Sequence, residues 1–343
     1  MKLYPIFRWL LFRLNPERAH ALSLRWMEIV SGVPLFAWGM NRIFSSTAKP
    51  VQAFGLTFAN PLGLAAGYDK DGTAWRGLAC LGFGHIEVGT VTLHPQPGNP
   101  KPRLFRLIGE QAIINRMGFP GRGAEFVIHQ LEKPRPPGLI IGVNIGKNKD
   151  TPLDNAVQDY RDLLKLFAPL ADYIAINISS PNTIGLRRLQ ARDELESLMG
   201  VLVGQRNEYI KQHLTRTPNL PLLVKLAPDL GNKELEDAIE VILRLGIDGI
   251  IATNTTLQRP VTANHINGET GGLSGAPLFS ISLKMVKTIV NHTQGRLPVI
   301  GVGGIHNKIG VQQMLDTGAI LVQLYTGLVY EGPGLVKNIL REL

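Results

Sequence analysis

The chain repeats one pattern eight times. Short apolar runs fall near residues 62–67, 85–89, 139–143, 173–178, 221–226, 248–253, 297–302 and 319–325. Stretches with helical periodicity separate them, at about 72–81, 122–132, 154–168, 192–213, 232–245, 279–293 and 307–317, with a last one at 333–342. The runs are continuously apolar rather than alternating, as in strands covered on both faces by a parallel sheet's helices. Eight such units in about 280 residues fit a closed (β/α)8 barrel of the TIM type, an α/β fold. An open doubly wound sheet is the alternative. It wants a Gly-x-Gly-x-x-Gly turn before its first helix, and Gly67-Tyr-Asp-Lys-Asp-Gly72 does not supply one.

In such a barrel, chemistry gathers where the strands end. The residues there are Lys70, Thr90, Asn144, Asn177 with Ser180 and Asn182, Lys225, Thr253-Asn254-Thr255, Gly303-Gly304 and Tyr325-Thr326. Amides and cations dominate, with neither the carboxylate pair of a glycosidase nor the His/Asp/Glu set of a metal hydrolase, so no metal is expected. Asn177-Ile-Ser-Ser-Pro-Asn182 is the most informative stretch: amides offer paired donors and acceptors to a planar polar ligand, and a hydroxyl beside them can move a proton. A plain polar turn is the competing reading of this hexapeptide. Gly301-Val-Gly-Gly304 and Tyr325-Thr-Gly327 read as a phosphate cradle, because glycines let backbone N–H groups approach phosphate oxygens. Gly271-Gly-Leu-Ser-Gly275 adds a second donor-rich loop. The insertion from Val91 to about Gly121 is long enough to expect a function.

Composition bears mainly on the first 50 residues. They hold seven of the 36 Lys and Arg but two of the 27 Asp and Glu, and three of the four tryptophans: Trp9, Trp26 and Trp38. Pro5 and Asn15-Pro16-Glu17 open two short amphipathic helices. Arg8 and Arg13 interrupt the first, so neither is the ~20-residue apolar span of a transmembrane helix, and no signal-cleavage pattern follows. Interleaved arginine and tryptophan favour a helix pair lying on an anionic membrane surface, not a nucleic-acid groove. Simple docking of the pair on the main domain is the alternative. Val51 to Phe58 reads as a small hairpin. The single cysteine, Cys80, excludes an internal disulfide and is expected as a core thiol.

Six segments resemble, in the same order, the membrane-associated, quinone-linked (class 2) dihydroorotate dehydrogenases: Gly67-Tyr-Asp-Lys-Asp-Gly72, Gly98-Asn-Pro-Lys-Pro-Arg103, Asn115-Arg-Met-Gly-Phe119, Asn177-Ile-Ser-Ser-Pro-Asn182, Gly271-Gly-Leu-Ser-Gly275 and Gly301-Val-Gly-Gly304. The resemblance runs from the first helix to the last. It implies an FMN oxidoreductase of de novo pyrimidine (UMP) synthesis that oxidises (S)-dihydroorotate to orotate and passes electrons to a membrane quinone. Carried over by residue, FMN would touch Ala66, Gly67, Lys70, Thr90, Asn144, Asn177, Lys225, Thr253, Gly275, Gly304, Tyr325 and Thr326. Dihydroorotate would be held by Lys70, Asn115, Arg116, Met117, Gly118, Phe119, Asn177, Asn182, Asn254 and Thr255.

Ser180 matches the family's catalytic base, where soluble relatives resemble a cysteine; it would take a proton from C5 while C6 delivers hydride to the flavin. A free hydroxyl is a poor base, so its proton must be relayed onward, with Thr183 or a water near Phe119 as the candidate. Residues 1–45 would form a helical hood over the quinone path, with His20 and Arg106 near the channel, and residues 46–343 the catalytic barrel. The expectation is a monomer, no patch marking an oligomer face, held peripherally at the cytoplasmic face of the inner membrane. Tyr68, Ile184 and Ala276 depart from common family residues, and none removes a catalytic group. Three competing readings stand: a soluble flavin barrel using fumarate or NAD, a non-redox phosphate-binding isomerase or lyase, and an idle membrane-surface scaffold.

Overall fold

The computed structural model describes residues 4–45, 49–259 and 268–343. Three helices come first, α1 (Tyr4–Arg13), α2 (Pro16–Gly32) and α3 (Pro34–Phe44), followed by the hairpin β1 (Val51–Ala53) and β2 (Leu56–Phe58). The next elements are β3 (Leu62–Leu64), α4 (Trp75–Ala79), β4 (His85–Val91), β5 (Leu104–Leu107), β6 (Ala112–Asn115) and α5 (Gly123–Leu131). They lead to β7 (Ile140–Ile145), α6 (Ala156–Phe167), β8 (Tyr173–Asn177), α7 (Arg192–Lys211), β9 (Leu222–Leu226), α8 (Asn232–Arg244) and β10 (Gly249–Ala252). The chain closes with β11 (Gly272–Gly275), α9 (Phe279–Thr293), β12 (Val299–Val302), α10 (Lys308–Asp316), β13 (Leu321–Leu324), α11 (Thr326–Glu331) and α12 (Leu335–Glu342).

The expected barrel is present. Strands β3, β4, β7, β8, β9, β10, β12 and β13 pair in that order, all parallel, and β13 closes on β3. Side chains alternate across each strand. Ile174 and Ile176 of β8 face the outer helices, whereas Tyr173 and Ala175 join Leu223, Ile251, Ile300 and Leu321 inside the barrel. Phe58 of the hairpin packs with this inner cluster and against His85, plugging the end where the strands begin.

Several local expectations are corrected. The N-terminal extension has three helices, not two: Pro34 restarts the chain at the first turn of α3, which proline tolerates because that N–H has no helical partner. The helix expected at 72–81 shrinks to Trp75–Ala79 because the Asp69 carboxylate accepts from the backbone of Thr73 and Ala74 and holds them in a turn. The insertion after β4 is not a plain loop. Its strands β5 and β6 form an antiparallel sheet with β11, a partner about 160 residues away that no local pattern shows. Cys80 is half-buried at the end of α4, not a core thiol.

The three N-terminal helices dock through polar anchors. Tyr4 Oη donates to the Val329 carbonyl at 2.7 Å, Arg8 to Tyr330 at 2.6 Å, and Lys337 Nζ to Ile43 at 2.6 Å. Asn15 caps α2 as its sequence foretells, accepting from the N–H groups of Glu17 and Arg18. Arg103 grips Glu17 with two hydrogen bonds, at 2.7 and 3.3 Å, while also closing its own loop onto Pro97 and Asn99. With the inner face engaged this way, Phe7, Trp9, Leu10, Trp26, Phe36 and Trp38 point outward, each at least half exposed. No helix among the described residues is long and apolar enough to cross a membrane.

Candidate active site

A cavity of about 1170 Å³, taken out to its mouth, opens where the barrel strands end and runs under α2. Ala66, Gly67 and Lys70 enter it after β3, Thr90 from β4, Asn177 from β8 and Lys225 from β9. Thr253 after β10, Gly275 at the end of β11, Gly304 after β12, and Tyr325 and Thr326 after β13 complete the ring. Segments separated by up to 260 residues in sequence thus share one wall because all but Gly275 end or follow neighbouring parallel strands of the barrel, and Gly275 comes from the antiparallel insertion sheet beside them. Asn144 sits one layer deeper. It accepts from Thr90 Oγ1 at 2.6 Å and from Asn177 Nδ2 at 3.2 Å, and it reaches the cavity only through them.

Ser180 lines the same cavity and is buried. Its Oγ accepts from the Asn182 N–H at 3.3 Å. Asn115, Met117, Gly118, Phe119, Asn182, Asn254 and Thr255 stand on the cavity wall around it. Asn182 Nδ2 donates to Asn115 Oδ1 at 3.2 Å, and Asn254 Nδ2 to Ser179 Oγ at 3.0 Å. Phe119 has a positive φ of 52°, a costly backbone state, and Gln96 holds it by donating to the carbonyls of Gly118 and Phe119. Thr183 is buried three residues beyond Ser180.

Two predicted side chains lie elsewhere. Arg116 turns outward to Glu269 at 2.5 Å, stacks over Phe105 and donates to Pro102, so its guanidinium braces the loop rather than the cavity. Arg106 donates to the carbonyls of Phe12 and Leu14 and lies over the Phe12 ring: it pins the end of α1 and does not line the cavity. His20 does line it. Its Nε2 stands 2.8 Å from the Tyr68 carbonyl, so that nitrogen carries the proton, and Tyr68 packs edge-on between the His20 and Tyr325 rings. Ile184 is almost fully exposed, and Ala276 opens a short turn before α9.

Electrostatics follow from burial. Lys70 donates to the Gly67 carbonyl at 2.7 Å, and burial pushes its ammonium down to about 8 against the pull of Asp71. Burial, with the Lys70 charge, pushes the His20 imidazole down to about 4, so it is neutral near pH 7. Burial would raise the Glu17 carboxyl, but hydrogen bonds and charge from Arg103, aided by Lys101, hold it below its ordinary value. Among the described residues, no His, Cys, Asp or Glu group is arranged to hold a metal ion.

Sequence reasoning missed Glu17, Leu104, Ile113 and Gln323, all on the wall, and singled out the loop of Ser274 without naming that residue. Most sit in helices, in the insertion sheet or below the strand ends. Gln323 had a signal, an amide within an apolar strand. Its Nε2 is engaged, but its Oε1 is buried without a partner among the described residues.

These donors suit a flat heterocycle with a phosphate tail. An orphaned amide oxygen, two lysines and paired asparagines match the edge of a ring rich in C=O and N–H groups. At the far side, Gly304 has φ +70°, and a Cβ there would lie 2.6 Å from the Phe279 nitrogen, so this bend keeps only main chain at the cavity. The paired hydroxyls of Ser274 and Thr326, 2.9 Å apart, lie beside it, a donor set suited to phosphate.

The family profile described as "Dihydroorotate dehydrogenase" matches residues 49–343. The chain is 46% identical over 341 residues to the dihydroorotate dehydrogenase (quinone) of Cronobacter sakazakii, covering 99% of each chain. It is 47% identical over 344 residues to the enzyme of the same name from Acidithiobacillus ferrooxidans, covering 99% of this chain and 94% of the other. The crystal structure of ligand-free DHODH from Eimeria tenella superposes with a TM-score of 0.85 at 40% identity, covering 96% of this chain and 94% of that one.

Proposed function

The chain belongs to the dihydroorotate dehydrogenase family, and from that premise we propose that its barrel cavity would hold FMN and dihydroorotate, with Ser180 as the base. The protein is a flavin oxidoreductase that oxidises dihydroorotate with a quinone acceptor in pyrimidine biosynthesis. The single observation that carries the site assignment is the convergence of Ser180, Lys70, Lys225 and four asparagines on one cavity beside the Gly304–Thr326 cradle.

Flavin bound there would supply hydride acceptance and electron transfer to the quinone. The remaining work falls to the protein. Gly304, Ser274 and Thr326 hold the phosphate end, and Lys225, Asn177, Thr90 and the orphaned Gln323 oxygen orient the ring. Asn115, Asn182, Asn254 and Thr255 grip the amide edges and carboxylate of dihydroorotate, with Lys70 balancing its charge. Ser180 removes the C5 proton. The Asn182 N–H donating to its oxygen stabilises the charge that develops there. Because a serine hydroxyl is far from the ideal basicity near pH 7, the proton must move on, and Thr183 is the proposed next carrier. Thr183→Val should slow flavin reduction at every pH; an unchanged rate removes Thr183 from the relay.

The hood's outward tryptophans, phenylalanines and leucines, together with its basic residues, support a peripheral seat on an anionic lipid surface. Quinone would reach the ring past His20 and Tyr68, with the protein acting as a monomer. Purified protein is expected to be yellow. Dihydroorotate without oxygen should bleach it, and a quinone analogue, not NAD or fumarate, should restore the colour. A folded colourless protein would favour a non-redox barrel instead.

A further inference from the structure

Below the predicted cofactor contacts lies a carboxylate that the reaction does not use. Glu87 is fully buried in β4. Its oxygens accept from Asn144 Nδ2 at 2.8 Å, Gln323 Nε2 at 2.8 Å and the Tyr173 hydroxyl at 3.1 Å, and the Lys225 ammonium stands 3.7 Å away. The pleat explains the cluster. Lys225 and Gln323 lie two residues past the inward-facing Leu223 and Leu321, Glu87 two past His85, and Asn144 in register with the inward-facing Ala175, so all four point into the barrel. Stability alone does not account for it, since apolar replacements of buried charge pairs are often neutral or stabilising.

A carboxylate can only accept, whereas an amide can present either end. Glu87 therefore decides which way Asn144 faces: its NH2 turns down to the carboxylate. Its oxygen is left to receive Thr90 Oγ1 and Asn177 Nδ2. The Asn177 oxygen then faces Ser179 and Asn254 Nδ2. One anion fixes the polarity of three asparagines, on β7, on β8 and just past β10. It also takes the Gln323 NH2, which leaves the Gln323 oxygen buried and unpartnered on the cavity wall.

We propose that Glu87 is a positioning residue for the redox site: it orients the Asn144–Asn177–Asn254 amides and the Gln323 oxygen, and its charge shares Lys225 with the flavin, thereby setting the flavin's reduction potential. The inference rests on the flavin reading of the cavity. Without the carboxylate, the Lys225 charge is free to stabilise the reduced, more anionic flavin, so the potential rises.

The test uses the full-length chain loaded with FMN. Glu87→Gln keeps the volume and removes the charge; its midpoint potential is expected above that of the parent protein, with a raised KM for dihydroorotate. Tyr173→Phe removes one donor to Glu87 but no charge, and its potential should stay put. A Glu87→Gln potential equal to the parent's overturns the proposal, as does an equal rise in Tyr173→Phe. If Glu87→Gln does not fold, Gln323→Met carries the test. It should weaken FMN binding about fivefold, the worth of one buried hydrogen bond, at nearly unchanged potential. An unchanged FMN affinity overturns the proposal. A parent chain that folds but takes up no flavin defeats the reading of the cavity itself, which separates that failure from this one.

Discussion

Gly77→Ala tests whether the hood must sit tight on the barrel for quinone to be reduced. Gly77 lies in α4, directly beneath the backbone of α2: a Cβ added there would stand 2.0 Å from the Met27 carbonyl oxygen and 2.7 Å from its carbon. Both obstacles are main chain, so no side chain can swing away. To restore ordinary contact, α2 must lift by about 1 Å, and overpacking of this kind costs about 1–3 kcal/mol. At 1.4 kcal/mol per tenfold, the docking equilibrium constant of the N-terminal helices falls by about 5- to 140-fold. The same helix carries Glu17 and His20 to the cavity wall, where their bonds to Arg103 and the Tyr68 carbonyl are lost with the lift. Quinone kcat/KM should fall measurably, by up to that factor, while flavin reduction by dihydroorotate, measured by anaerobic stopped flow, keeps its rate. Gly77→Ala with full quinone turnover and an undisplaced α2 would refute the steric reasoning.

Gly200→Ala is the matching control: an added Cβ meets nothing within 4 Å inside α7, so helix propensity should raise stability by about 0.5–1 kcal/mol, seen as a higher Tm. Acid should destabilise the fold. Burial lowers His85 to about 3 and His306 to about 4, and burial with Lys70 lowers His20 to about 4, so their contribution is present above pH 6.5 and lost as pH falls. Asp69 opposes this, because burial raises its carboxyl to about 6 and the folded state then holds one extra proton near pH 5. The net uptake on unfolding is about two protons, a slope of about 2.7 kcal/mol per pH unit near pH 5. Urea midpoints that match at pH 6.5 and 5 contradict this. Removing residues 1–45 should abolish quinone turnover and lipid binding yet spare reduction by dihydroorotate; intact quinone kinetics after truncation would void the hood assignment.

The barrel was legible because strands buried on both faces leave continuous apolar runs, and these occur eight times at regular spacing. The wall residues at strand ends were legible for the same reason: once the strands are placed, their last residues share one face. What local pattern could not show was long-range pairing. The β5–β6–β11 sheet joins residues 104–115 to 272–275, and it sends Arg116 and Arg106 outward to brace the loop and α1, although Arg116 sits in a motif that suggests ligand contact and Arg106 was expected near the quinone channel. α3 was hidden because Val33-Pro34 resembles a helix stop as much as a start. Glu87 and Gln323 did leave a trace. Each is a polar residue set inside an apolar strand, and reading only the strand ends passes over the layer beneath them.

Single-turnover reduction of the bound flavin by dihydroorotate, without oxygen, compares Ser180→Ala with the parent protein most directly. The two should bind flavin equally, since Ser180 is placed on the dihydroorotate side of the cavity, and the variant's bleaching should be slower by about 10²–10⁴-fold, the usual worth of a positioned base. Equal bleaching rates would mean that the proton leaves by another group, and that the cavity is not arranged around Ser180.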